Sequence, residues 1–167
     1  VAVSGGYAFV AAGGEGLVVI DVSVPSAPVE AGVYDTPGQA SAVAVVGGHA
    51  FVATGEAGLL VIDVSVPSAP VEVGFIDTPG SAYGVAVSGG YAFVADGGAG
   101  LLVINVSTPA APVEVGFIDT PGLALAVAVS GGYAYVAGGR EGLRVVDVSV
   151  PSALVEVGYY ATHGKDG

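Results

Sequence analysis

The chain is built from one unit of 42 residues that recurs four times without a gap. The copies comprise residues 1–42, 43–84, 85–126 and 127–167. Their opening segments read VAVSGGYAFVA, VAVVGGHAFVA, VAVSGGYAFVA and VAVSGGYAYVA, so most positions recur unchanged. A gapless period of this length indicates stacked copies of one supersecondary unit, because a single unit of this size cannot bury its own apolar face.

Each unit divides into four short strands separated by turn residues. In the second copy the pattern predicts strands at 42–46, 49–54, 59–65 and 71–76. Gly47-Gly48 accepts the positive φ angles of a tight hairpin turn. Pro67 and Pro70 end the third strand, because proline cannot donate to a strand ladder. No segment has a helical period long enough to compete, so the unit is predicted to be all-β.

The third strand indicates how the sheets pack. Its side chains are apolar without alternation over Leu59, Leu60, Val61, Ile62 and Val64, so both faces of the sheet must be covered. Four-stranded meanders stacked face to face around an axis meet this demand. We therefore predict an all-β fold, a β-propeller built of four-stranded antiparallel blades, with one blade per repeat. The 167 residues form a single propeller domain or a half-propeller.

The charge balance excludes several classes of function. The chain has 15 acidic and 3 basic side chains, with a formal net charge of -12. The basic residues are Arg140, Arg144 and Lys165, which argues against nucleic-acid binding because phosphate contacts need clustered cations. No apolar stretch approaches the roughly 18 residues of a spanning helix, so no membrane span is predicted. Since the chain has no methionine, we expect a processed form or a piece of a longer protein.

Seven of the 15 acidic residues are predicted to share one rim of the propeller. In blades whose strands run outward from the axis, the loops after the second and fourth strands leave on the same side. This places seven candidate binding residues there: Glu15, Asp35, Glu56, Asp77, Asp96, Asp119 and Glu141. Such a rim suits a cation such as Ca²⁺ or a basic partner. The favoured interpretation is turn chemistry, in which the Asp of Asp-Thr-Pro-Gly accepts backbone N–H groups. No single loop has the spacing of a calcium loop, so no metal site is predicted.

The remaining polar side chains are predicted to be structural. Asp21, Asp63, Asn105 and Asp147 share one slot after the third strand's apolar run, where each should accept hydrogen bonds from the following turn. Tyr7, His49, Tyr91 and Tyr133 share another slot and should pack between blades rather than line a sugar site. His49 and His163 are not equivalent, and no nucleophile elbow occurs. The sequence therefore predicts no catalytic centre and no cofactor.

The third strands carry a recognisable string. They read LVVIDVS, LLVIDVS, LLVINVS and LRVVDVS, each after a glycine and before a proline. These strings resemble the LVIVD repeat, a family of propeller blades found largely in predicted secreted or surface proteins. The resemblance covers the whole chain and implies a propeller fold and an extracellular or cell-surface location. It implies no catalytic residues. The fourth copy departs from the pattern at Leu154, where the others have proline, and at Ala161, where they have aspartate.

We expect the function to be that of a non-catalytic propeller, a binding or structural scaffold with a protein or glycan ligand. Two alternatives stay open: a metal-binding or enzymatic propeller that uses the acidic rim, and an engineered or recently amplified repeat protein without a ligand. Ring closure is expected from two chains that form eight blades, with blade 1 of each against blade 4 of the other, or from further blades of a longer chain. Arg140 and Arg144 are expected to meet acidic blade 1 across that seam.

Overall fold

The computed structural model describes residues 1–162, which form sixteen strands and one 3₁₀ turn at Gly139–Glu141. Blade 1 comprises β1 (Ala2–Ser4), β2 (Tyr7–Ala11), β3 (Leu17–Asp21) and β4 (Val29–Tyr34). Blade 2 comprises β5 (Ala42–Val46), β6 (His49–Ala53), β7 (Leu59–Asp63) and β8 (Val71–Ile76). Blade 3 comprises β9 (Gly84–Ser88), β10 (Tyr91–Ala95), β11 (Leu101–Asn105) and β12 (Val113–Ile118). Blade 4 comprises β13 (Ala126–Ser130), β14 (Tyr133–Ala137), β15 (Leu143–Asp147) and β16 (Val155–Tyr160).

Each blade is a four-stranded antiparallel meander formed by one repeat. The strands pair in chain order within every sheet, so no described strand is exchanged between repeats. The first strands of neighbouring blades contact one another, as β5 and β13 do with β9, while the fourth strands share no comparable contact. The blades therefore converge at their first strands and diverge outward, which confirms the predicted all-β blade architecture.

Two strand ends in blade 2 lie earlier than the sequence predicts. β6 ends at Ala53 because the N–H and the hydroxyl of Thr54 both donate to the carbonyl oxygen of Gly58, each at 2.9 Å. β7 ends at Asp63 because its carboxylate accepts the N–H of Ser65 at 2.8 Å. In both places a local side-chain bond turns the backbone out of the ladder.

Apolar cores fill the three interfaces between consecutive blades. In β7 the side chains of Leu59, Leu60, Val61 and Ile62 are at most 1% exposed, which confirms that both faces of this strand are covered. In β15 burial alternates instead, and Leu143 is 37% exposed. Within residues 1–162 no apolar core joins blade 4 to blade 1, so one face of each end blade is bare.

A glycine in the fourth strand sets how closely the blades approach. At Gly74 an added Cβ would overlap the carbonyl oxygen of Pro109, which lies in the segment between β11 and β12 of the next blade. Gly32 and Gly116 meet the carbonyl oxygens of Pro67 and Pro151 in the same way. Each lies beside a β-bulge, where the fourth strand has one more residue than the third strand with which it pairs. The bulge and the glycine together let one blade lie against the next.

Candidate functional site

The predicted sorting of loops to two rims is confirmed by hydrogen-bonded bridges between neighbouring blades. The loop between the second and third strands of one blade pairs with the segment entering the next blade, at Gly13 with Ala40, Gly55 with Ala82, and Gly97 with Ala124. We call the side that bears these loops the acidic rim. On the opposite side, the hairpin glycine Gly48 accepts the N–H of Val64 at 2.9 Å.

Six of the seven predicted acids are exposed on the acidic rim: Glu15, Asp35, Glu56, Asp77, Asp119 and Glu141. Asp96 differs, since it is fully buried. Its carboxylate accepts the hydroxyl of Thr78 and the N–H of Gly80, both at 2.7 Å. The structure therefore places Asp96 in the contact between blades 2 and 3 and out of reach of a ligand.

The turn role expected for the aspartates of Asp-Thr-Pro-Gly is wrong. In the described part of the chain, the carboxylates of Asp35, Asp77 and Asp119 accept no hydrogen bond. The hydroxyls of Thr36 and Thr78 make hydrogen bonds instead, while that of Thr120 makes none among the described residues. Thr36 donates to the carbonyl oxygen of Gly38 at 2.6 Å. A buried threonine hydroxyl supplies the side-chain hydrogen bond of the turn without burying a charge. The aspartate carboxylates are therefore left directed to solvent.

The exposed rim acids do not converge on one point. Across residues 1–162, no three acidic or histidine side chains come close enough together to hold a metal ion. The carboxylates are instead distributed over a cleft near the axis and over pockets near the outer edge. His163 and Lys165 lie outside the described residues.

A cleft of about 560 Å³ lies on the acidic rim beside the entry loops of blades 2 and 3. Its polar and aromatic lining includes Gln39, Ser41, Glu56, Ser81 and Tyr83. Tyr83 is 40% exposed, so its ring forms part of the accessible wall. This lining offers an amide, hydroxyl groups, a carboxylate and a ring face to a ligand.

Two further pockets recur at equivalent positions near the outer edge of blades 2 and 3; we call them the outer pockets. The blade 2 pocket is lined by Pro37, Ala57, Leu60, Glu72, Phe75 and Asp77 and encloses about 340 Å³. The blade 3 pocket is lined by Pro79, Gly98, Ala99, Leu102, Glu114, Phe117 and Asp119 and encloses about 400 Å³. Each combines a leucine, an exposed phenylalanine ring and two carboxylates.

Blade 4 has an arginine at the position of the outer-pocket leucine. Arg144 is 8% exposed, and its guanidinium lies 4.8 Å from the centre of the Tyr159 ring. Its Nη1 lies 3.3 Å from Glu156 Oε1, and its Nη2 lies 3.8 Å from Glu141 Oε2. The expectation that Arg144 meets blade 1 across a seam is therefore wrong. Arg144 and Val146 are two residues apart in β15 and so lie on the same face of the sheet, opposite to Leu143. Val146 belongs to the core between blades 3 and 4, so Arg144 lies on the face toward blade 3.

The predicted capping role of the four residues that follow the apolar run of the third strands is confirmed. Asp21, Asp63 and Asp147 accept the N–H of the serine two residues on, at 2.8, 2.8 and 2.9 Å, and Asn105 does so at 3.0 Å. Hydrogen bonds from the serine hydroxyl and N–H lower the pKa of the three aspartates. Packing between blades is confirmed for Tyr7 and Tyr91. It is wrong for Tyr133, which is 39% exposed and belongs to none of the described cores. His49 is half-buried, with its Nδ1 3.1 Å from the carbonyl oxygen of Gly47.

One tyrosine connects two blades through an outer-pocket acid. The hydroxyl of Tyr34 donates to Glu72 Oε2 at 2.8 Å. Burial, together with that carboxylate, raises the pKa of Tyr34. The equivalent residue facing blade 3 is Ile76, so Glu114 has no such donor.

Comparison with known families identifies the repeat. A family model described as the LVIVD repeat matches residues 1–36, 37–78, 79–120 and 121–162. The chain belongs to the LVIVD-repeat family. Each match after the first begins in the loop before the first strand of a blade, so it contains the same four strands as the 42-residue copies. None of the curated protein sequences compared with the chain matches it. Of the helical structure in residues 1–162, none is long and apolar enough to cross a membrane.

Sequence reasoning missed the outer pockets of this LVIVD-repeat chain. The available signal was Arg144, the one charged residue in a slot filled by Val18, Leu60 and Leu102 in the other copies. A buried cation needs a partner carboxylate. A glutamate occurs at the position of Glu156 in every copy. The packing of the fourth strand against the loop of the preceding blade was needed to show that these residues form a pocket.

Proposed function

We propose that this LVIVD-repeat chain is a non-catalytic binding or structural scaffold of a secreted or cell-surface protein. We propose further that its four stacked blades are completed to a closed eight-bladed ring by a second copy. The scaffold role is supported by the wide distribution of the rim acids, since no three His, Asp or Glu side chains of residues 1–162 come close enough together to hold a metal ion. Ring closure is supported by the bare faces of the two end blades.

The bare face of blade 4 has the residues of a buried interface. Tyr135 and Leu143 are each 37% exposed, while their counterparts Phe93 and Leu101 in blade 3 are 3% and 0% exposed. An apolar face of this kind is typical of an interaction surface, because its burial stabilises an assembly by about 25 cal/mol per Å².

Blade 1 has the complementary bare face. Val10, Val18 and Ile20 are half-buried. Their counterparts in blade 2 are Val52, Leu60 and Ile62, which are at most 1% exposed against blade 1. Blade 1 of one chain therefore presents to blade 4 of another the same residue types that join consecutive blades within the chain.

Gly158 is the observation that carries the proposal. Its counterparts Gly32, Gly74 and Gly116 lie against a prolyl carbonyl of the following blade, while a Cβ on Gly158 would meet nothing within 4 Å. Blade 4 thus keeps the glycine of a close blade contact with no described residue opposite it. The proline at the matching position of blade 1 is Pro25. A second copy would bring its Pro25 against Gly158, and a two-fold axis would create two identical seams.

A polar pair adds to this complementarity. Tyr160 has the position of Tyr34, and Glu30 has the position of Glu72, which accepts the Tyr34 hydroxyl. Tyr160 is 70% exposed and Glu30 is exposed. Blades 2 and 3 have Ile76 and Ile118 in the tyrosine slot. The seam would therefore reproduce the contact between blades 1 and 2.

Sedimentation velocity of the wild-type chain and of Gly158→Val tests ring closure. We expect the mass of two chains for the wild type and of one chain for the variant, because valine would overlap Pro25 of the second copy. Gly98→Val is the matched control, since a Cβ there also meets nothing within 4 Å but lies within blade 3. It should remain a dimer. A wild type that stays a single folded chain at every concentration would overturn the closure by a second copy.

The ligand-binding part of the proposal rests on where the copies differ. The entry loops read Gln39-Ala40-Ser41, Ser81-Ala82-Tyr83 and Leu123-Ala124-Leu125, with a constant buried alanine between two variable residues. Variation in surface loops on a constant framework is typical of a binding face. A glycan array screened with wild-type and Tyr83→Ala protein tests this part. Signals that disappear in the variant support a ligand in the cleft, and an array without Tyr83-dependent signals counts against it.

A further inference from the structure

We infer that the outer pockets of blades 2 and 3 bind arginine side chains of a partner polypeptide. The inference rests on blade 4, where the same place in the fold is already filled by the guanidinium of Arg144. It does not depend on ring closure, because each pocket is formed by residues of consecutive blades within one chain.

The blade 4 arrangement shows which chemistry this place accepts. The guanidinium of Arg144 in β15 lies over the ring of Tyr159 in β16. It also forms an ion pair with Glu156, which lies in β16 beside Tyr159. Tyr159 and Glu156 are the counterparts of Phe117 and Glu114 in blade 3. A planar cation stacked on an aromatic face and paired with a carboxylate is a favourable arrangement for arginine.

Blade 3 has the carboxylates and the aromatic ring of such a site but no arginine at the position of Arg144. Leu102 takes the place of Arg144 and leaves a pocket of about 400 Å³ beside Glu114, Phe117 and Asp119. The Phe117 ring is 65% exposed. Among the described residues, neither Glu114 nor Asp119 takes part in an ion pair or a side-chain hydrogen bond.

No lysine or arginine of the first three blades supplies the missing charge. Residues 1–126 contain no lysine and no arginine. The cation must therefore come from elsewhere, and the net charge of -12 attracts it at long range. An organic cation fits better than a metal ion, because the pocket offers an aromatic face in addition to two carboxylates.

The two outer pockets are expected to differ in their affinity for arginine. In blade 2, Glu72 already accepts the hydroxyl of Tyr34 at 2.8 Å, which engages part of its hydrogen-bonding capacity. In blade 3 the counterpart of Tyr34 is Ile76, so Glu114 keeps all of its acceptor sites. Blade 3 is therefore the stronger arginine site, and a segment with two arginines would engage both.

The test uses a short arginine peptide, acetyl-Gly-Arg-Gly-amide, with the citrulline peptide as its uncharged counterpart of the same shape. Binding is followed by NMR shifts of the phenylalanine ring protons at 150 mM salt, where screening limits non-specific attraction. We expect saturable shifts with the arginine peptide and an affinity for the citrulline peptide lower by about tenfold or more.

Variants distinguish the pocket from general charge attraction. Glu114→Gln should weaken arginine binding at blade 3 by about tenfold, and Leu102→Arg should abolish it by filling the pocket as in blade 4. Glu15→Gln is the matched control, since it removes one exposed rim charge outside the outer pockets. If Glu15→Gln weakens binding as much as Glu114→Gln, or if the citrulline peptide binds equally well, the inference is overturned. Because Glu114 is exposed, its variant remains informative even if Leu102→Arg fails to fold.

Discussion

At the scale of single residues, the repeated aspartate after the third strand acts as a cap. Asp63 accepts the N–H of Ser65 and ends β7. Asn105 makes the same bond in blade 3, at 3.0 Å, and also accepts the hydroxyl of Ser107 at 2.6 Å. An acceptor oxygen is therefore sufficient for the turn. The charge adds a dependence on pH, because the hydrogen bonds from the serine lower the pKa of the aspartates.

We predict that Asp63→Asn lowers the melting temperature slightly at pH 7 and that the difference from wild type disappears as the pH falls below about 4. The folded pKa of Asp63 lies below its ordinary value of 3.8. Its charge therefore stabilises the fold above that value, and this contribution is lost as the pH falls through the folded pKa. Thermal melts at pH 7, 5 and 3 measure the difference. Asp63→Ala should be less stable than Asp63→Asn at pH 7, and equal stability of the two would contradict the capping role.

At the scale of elements, side chains on the acidic rim connect the loops of consecutive blades. Asp96 at the end of β10 binds Thr78 and Gly80 of the segment that enters blade 3. The counterpart of Asp96 in blade 4 is Gly138, and the buried hydroxyl of Thr120 has no hydrogen-bond partner among residues 1–162. In the two loops that enter blades 3 and 4, the residue at this position therefore determines whether the threonine hydroxyl has a hydrogen-bond partner.

Replacement of Asp96 by alanine should destabilise the fold by about 2 kcal/mol, because the buried hydroxyl of Thr78 and the half-buried N–H of Gly80 lose their acceptor. For a chain of this length that corresponds to a fall in melting temperature of about 6 °C. Thermal unfolding followed by circular dichroism measures it. Asp119→Ala, at an exposed rim aspartate, is the control and should change stability by less than about 0.5 kcal/mol.

The converse change, Gly138→Asp, should stabilise blade 4 by about 1 kcal/mol, since it supplies an acceptor to Thr120. The backbone of Gly138 has a φ of -97°, which an aspartate adopts without strain. Gly138→Ala is the matched control, because it adds the Cβ without the carboxylate. A melting temperature no higher for the aspartate than for the alanine would show that Thr120 gains no hydrogen bond.

At the scale of the whole molecule, the stack has two bare ends of opposite kind. The outer face of blade 4 resembles the face that blade 3 buries, and the outer face of blade 1 resembles the face that blade 2 buries. Such ends favour a head-to-tail contact that closes into a ring when the rotation per blade permits it.

For a ring of two copies, the melting temperature should rise with protein concentration, because association stabilises only the folded state. Differential scanning calorimetry over a hundredfold range of concentration measures this, with Gly158→Val as the monomeric reference. We expect a rise for the wild type and a constant value for the variant. If the melting temperatures of the two proteins depend on concentration in the same way, association does not occur through Gly158, and the proposed contact between blades 4 and 1 is contradicted.

The sequence alone determined the repeat, the four strands of each blade, the sorting of loops to two rims and the capping role of Asp63 and its counterparts. These features depend on alternation, turn residues and spacings within 42 residues, where local backbone preferences decide the conformation. Even the double burial of β7 was readable, since its apolar run has no polar face.

The tertiary structure alone decided which polar residues stay accessible. Asp96 and Asp119 were both predicted to lie on the acidic rim, yet one is fully buried between blades and the other faces solvent. Arg144 was expected at an outer seam and lies instead against Tyr159 on the face toward blade 3. These outcomes depend on contacts between residues of different blades, and the distance and angle between stacked sheets follow from side-chain packing across the interface rather than from any local pattern.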